Sequence, residues 1–229
     1  MKKIVCLIFG IIFIFILSCR QKKTDPVQTK SAVKVVSNQI VFDQLDIILS
    51  PFEDMTEFAL NKNEKGILES MSKVENAQNN SIFEKNLTPG SMSLLNPKIE
   101  KLQELIRQKD YNQIALSSTE IFELNVRYFA DGKKIEKQIQ IEKLDYMGFK
   151  ILALLNQDKV DWNVIEETIS YAQKDWVALN PKIADDNLKD TVNYLFQSLF
   201  ICCEQKDVKM CGVLANMNLS LVDVLEKSI

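Results

Sequence analysis

The chain of 229 residues reads as all-α, an antiparallel helical bundle of about seven to eight helices. Three features lead there. Apolar residues recur at steps of three and four along almost the whole chain, no stretch shows strand-like alternation, and 6 glycines with 5 prolines are too few for a turn-rich β fold. Long helical stretches joined by short polar turns favour antiparallel neighbours.

The first element is an apolar run, Ile4 to Leu17, behind the positive pair Lys2 and Lys3. A bilayer-spanning helix needs about 20 apolar residues, whereas the core of a cleaved signal sequence is shorter. The run ends in Ile16, Leu17, Ser18 and Cys19. That "ILSC" phrase resembles the lipobox of bacterial lipoproteins. The resemblance implies cleavage after Ser18, removing residues 1–18, and a diacylglyceryl thioether on Cys19. Two or three acyl chains would hold the protein stably in a membrane, where a single chain would not. It further implies a lipid-anchored protein on the extracytoplasmic face of the cell membrane, or in the outer membrane where the envelope has two.

Residues 19–38 are polar, basic and contain Pro26, and read as a flexible tether ahead of a bundle domain at 39–229. Val41, Leu45, Ile48, Phe52, Met55 and Phe58 form the first stripe. Within it "SPFED" predicts a kink or restart, with Ser50 as cap, Pro51 at the first helical position and two acids behind. Ile67, Leu68, Met71 and Val74 mark a second helix. The stretch from Asn79 to Pro97 reads as a loop turning at Pro89–Gly90, and Asn96–Pro97 as the start of a third helix. Asp110 is expected to cap a fourth, from Tyr111 to Ala130, and a fifth spans about 133–156.

Asp161 is expected to cap the sixth helix, whose stripe includes Trp162, Ile165, Ile169, Ala172, Trp176 and Leu179. The tryptophans on that stripe read as core rather than as a ligand platform. A seventh helix runs from about Asp186 to Glu204 and the last from Val208 to Lys227. "LNPKI" occurs at 95–99 and 179–183, and "QKD" at 108–110 and 205–207. These echoes raise the option of two tandem four-helix units, 39–131 and 132–229.

Within 144–226, "DWNVIEETISYAQKDWVALNPKI" and "LANMNLSLVDVLE" combine a Trp, a following Leu-x-Pro-x-Ile phrase and a closing Ala-Asn…Leu-Val-Asp helix. This pattern resembles helical-bundle lipoproteins of Gram-positive anaerobes. The resemblance implies a fold and a location, and brings no activity with it.

Histidine is absent, which excludes His-based metal sites and Ser-His-Asp or Cys-His catalysis. No glycine-rich phosphate loop is present. Without Lys2 and Lys3, 26 basic side chains face 31 acidic ones, net −5, and no basic patch suggests nucleic acid. The acids Glu166, Glu167, Asp185 and Asp186 offer a carboxylate-only catalytic set, but helix dipoles and a solvated face account for them more simply.

Outside the leader and Cys19, three cysteines remain: Cys202, Cys203 and Cys211. They read as small core residues, or as a disulfide joining Cys211 to Cys203 or Cys202, with Cys203–Cys211 the candidate pair. A Cu(I) site adding Met210 and perhaps Met217 is the sharper alternative. The expectation is a non-enzymatic, lipid-anchored module without cofactor or resident metal, whose partners are the membrane and a protein or envelope component. A ligand- or soft-metal-sensing bundle built on the Cys/Met cluster at 202–211 is the second reading.

Overall fold

The computed structural model describes residues 26–228, with side chains from residue 38 onward; Cys19 and the expected leader lie outside the described residues. Nine α-helices and no strand are found among the described residues: α1 (Pro26–Leu60), α2 (Glu64–Asn79), α3 (Ile82–Asn86), α4 (Met92–Gln108), α5 (Tyr111–Tyr128), α6 (Glu136–Leu155), α7 (Trp162–Leu179), α8 (Asp186–Gln205) and α9 (Val208–Glu226). The all-α expectation is met.

Three local expectations are corrected. Helix α1 is described from Pro26 onward, so the second part of the expected tether, 26–38, is helical. No glycine or proline interrupts the chain between residues 27 and 50. Pro51 does not restart the helix: α1 passes through it unbroken. Burial of Leu45, Ile48, Leu49, Phe52 and Met55 on both sides offsets the lost backbone bond. Asn125 on α5 also donates Nδ2–H to the Ile48 carbonyl at 3.3 Å, in the turn the proline disturbs.

The third correction lies in the expected loop, which contains the short α3 and the first residues of α4. Phe83 is fully buried there, and a burial of that size fixes a turn that local composition leaves open. An isolated bridge ties Leu87 to Phe129 across the end of α5. Gly90 has φ +87°, as the Pro89–Gly90 turn requires.

Buried apolar side chains form two clusters. One runs from Val41 to Ile135 and takes in Ala153; the other runs from Ile141 to Leu225. Helix α1 packs on α5 in the first, and α6 packs on α9 in the second. Gly148 permits the α6–α9 approach, because a Cβ there would fall 2.5 Å from Leu219 Cδ2. Asn218 on α9 donates to the Leu144 carbonyl of α6 at 2.6 Å. Helix α9 is long and apolar enough to cross a membrane by length and composition, but Cys211, Leu214, Ala215, Val222 and Leu225 are buried in the bundle.

The two "QKD" phrases adopt one conformation. Lys109 and Lys206 are left-handed at φ 56° and 55°, and Asp110 and Asp207 each cap the following helix. The "LNPKI" copies differ: the first lies within α4, while the second ends α7 in a 3-10 turn, Asn180–Lys182.

Candidate functional site: an acidic cleft

Helices α1, α6 and α9 border an open cleft of about 830 Å³. Three stripes at helical spacing line it. Helix α1 contributes Phe42, Asp46, Glu53 and Glu57; α6 contributes Glu142, Asp145, Phe149 and Leu152; α9 contributes Leu219, Val222, Asp223 and Glu226. Seven of the lining side chains are carboxylates, and no Lys or Arg joins them among the described residues.

The acids collect at one end. Helices α6 and α9 run antiparallel, since Asn218 reaches Leu144 while Gly212 lies near Leu155. Asp223 and Glu226 therefore fall beside Glu142 and Asp145. Asn61, Asn156 and Asn216 mark the other end of the lining. Each of these amides gives an Nδ2–H to a carbonyl four residues back on its own helix, at 2.9–3.0 Å. Ser220 likewise donates to the Asn216 carbonyl at 3.2 Å. The cleft is thus rich in hydrogen-bond acceptors along its whole length.

Burial pushes the Glu53 carboxyl up to about 7, with the charges of Asp46 and Glu226 adding to the rise and a hydrogen bond to Asp145 opposing it. Asp145 is raised well above the ordinary carboxylate range by burial and then by Glu53 and Glu142. Glu53 and Asp145 titrate as one pair. Glu142 is raised by burial and by Glu53, Glu226 and Asp46. It is 6% exposed, and no hydrogen bond or ion pair reaches it among the described residues. Leaving a buried carboxyl unpaired is costly, so proton retention is the available relief.

A second cleft, of about 490 Å³, lies between α5, α6 and α7. Its charges answer one another: Lys143 pairs with Asp175 at 2.7 Å, Arg127 with Glu123, and the buried Lys150 approaches Glu120 at 3.7 Å. Having few unanswered charges, it offers a ligand less than the acidic cleft.

The residues singled out from the sequence lie elsewhere. Asp185 caps α8 by accepting from the Asn187 and Leu188 N–H groups, and Asp186 pairs with Lys189 at 2.7 Å on the surface. Glu166 and Glu167 are exposed on α7. Trp176 is 2% exposed and donates Nε1–H to Asn193 Oδ1 at 2.8 Å, as a core residue should.

All three described thiols are free and buried. The pair that bears on one another's ionisation is Cys211 with Cys202. Cys203, the expected partner of Cys211, instead points its Sγ at the Trp162 carbonyl, 3.5 Å away. The reason is helical phase: Cys202 shares the buried stripe of Leu195 and Leu199, and its neighbour is turned about 100° from it. Burial raises the pKa of all three, which disfavours the thiolates a metal needs. Met210 and Met217 are exposed, whereas the thiols are buried. No group of three or more Cys, Asp or Glu among the described residues is placed to hold one metal ion.

Compared with models of known protein families, with curated proteins and with solved structures, the chain matches none.

Proposed function

We propose that this protein is a lipid-anchored, extracytoplasmic binding module that catalyses no reaction and receives its ligand in the acidic cleft. The lipobox-like "ILSC" ending in Cys19 supports the anchor, and the carboxylate-rich cleft supports the binding role. The observation that carries the reading is Glu142, 6% exposed and without a hydrogen-bond partner among the described residues, lining a cleft open to solvent. Unmatched buried groups in a concavity are where a ligand gains most by arriving.

Two experiments test it. Cys19→Ser should move the protein from the membrane fraction to the soluble one and lower its mass by the lipid; an unchanged fraction and mass would refute the anchor. Native mass spectrometry of the full chain, extracted without denaturation, should show an adduct. Ser220→Trp, which places an indole in the cleft, should remove it. An adduct indifferent to Ser220→Trp, or none in either protein, would refute the binding role.

A further inference from the structure

We infer that the ligand of the acidic cleft is a linear polyamine, an aliphatic chain carrying two or more ammonium groups. This inference rests on the cleft being the binding site, and adds the chemistry of what enters it.

Charge comes first. Glu53, Glu142 and Asp145 share the crowded end with Asp46, Asp223 and Glu226, and no cation lines the cleft among the described residues. One ammonium would leave most of these carboxylates unanswered, so a polycation fits better. The burial of Glu142 adds to this: the residue is 6% exposed, lines the cleft, and has no hydrogen-bond partner among the described residues. A buried carboxylate in that state is stabilised by a charged donor brought to it.

Extent comes second. Along α1, Asp46 and Glu57 are eleven residues apart, about 16 Å of helix rise. A compact divalent ion needs six or more oxygens converging on one point. The acids here are spread over three helices, and no three of them are placed to hold one ion. Ammonium groups separated by methylenes can meet spread carboxylates one by one.

Hydrogen-bond polarity comes third. At the far end, Asn61, Asn156 and Asn216 each direct an N–H into their own helix. Their oxygens make no hydrogen bond among the described residues, so that end also calls for donors. A polyamine offers N–H donors along its length and has no acceptor while protonated. Its methylenes find apolar wall in Phe42, Phe149 and Leu219. A ligand with a cationic head and a carbonyl-bearing tail would meet acceptors with acceptors.

The test is titration calorimetry of the full chain in detergent, at pH 8 and low salt, with spermidine as probe. Butylamine, Mg²⁺ and Ca²⁺ serve as comparisons. Spermidine should bind in a 1:1 ratio and at least tenfold more tightly than butylamine. Glu142→Gln and Asp145→Asn should each weaken it by tenfold or more. Both variants should melt no lower than the parent at pH 8, since each replaces a buried carboxyl that is costly to ionise, so a lost signal is not lost folding. Binding should also release protons, seen as heats that vary with the buffer's ionisation enthalpy.

Absence of binding at millimolar spermidine would overturn the inference. So would equal binding by both variants, which would mark general surface screening. Mg²⁺ or Ca²⁺ competing with spermidine at equal or higher affinity would replace the amine with a metal ion. In each case the adduct experiment with Ser220→Trp still decides, separately, whether the cleft is a binding site.

Discussion

Trp176 shows how a single side chain joins two helices. Its ring fills the space between α7 and α8, and its one polar atom is matched by Asn193. Trp176→Ala should therefore lower stability by about 3–5 kcal/mol, since it leaves a large cavity and an unpaired amide. Denaturant midpoints at constant slope would measure this, and a shift near zero would place the ring at the surface. Gly148 carries the opposite constraint. Gly148→Ala would force Leu219 or Asn218 to move, at a cost of about 1–3 kcal/mol in the same assay. Trp176 was legible in the sequence because bulk on an apolar stripe reads as core. Glu142 and Asp145 were not, because an acid among acids and lysines reads as solvated surface. The missed signal was a second stripe on α6: 142, 145, 149, 152 and 156 recur at steps of three and four beside the apolar one. Only the packing of α1 and α9 against α6 turns that stripe into a cleft.

Helices and their ends were the most legible level. Asp110, Asp161 and Asp207 each accept a hydrogen bond from the N–H three residues on, because a short acceptor ahead of a helix satisfies one of its free donors. Asp207→Ala should cost about 1 kcal/mol of stability. Lys206, one residue earlier, stands in the left-handed region at φ 55°, where a Cβ is strained. Lys206→Gly should gain stability by about 0.5–1 kcal/mol, the relieved strain exceeding the added chain entropy. Thermal melting of both variants would check the opposite signs. Pro51 and the start of α4 were not legible for a shared reason. Proline and Asn-Pro are local stop or start signals, and long-range burial overrode them.

At the scale of the molecule, the acids make stability depend on pH in an unusual sense. Glu53 has a folded pKa of about 7 against an ordinary 4.5, so the folded chain binds its proton more tightly than the unfolded chain. Its contribution, on the order of 3 kcal/mol, is full below pH 4.5 and is lost as pH rises toward 7. Asp145 and Glu142 act in the same direction. The facing groups are Asp46 and Asp54 on α1 and Glu226 on α9, which add negative charge. Glu120, held low by its lysines although burial opposes them, works the other way and loses its contribution as pH falls. Stability should therefore peak in mildly acid solution and decline toward pH 8, and Glu142→Gln should flatten that decline. A melting series from pH 4 to 8 reads this directly. The border on which these charges sit has a mechanical meaning as well. Helix α1 lies in one buried cluster and α9 in the other, with α6 contributing to both, so deprotonation loads like charge on both sides of the border between them. Hydrogen exchange should accordingly quicken first in the α1 and α6 amides beside Glu53 and Asp145 when pH is raised, with α4 and α8 lagging behind.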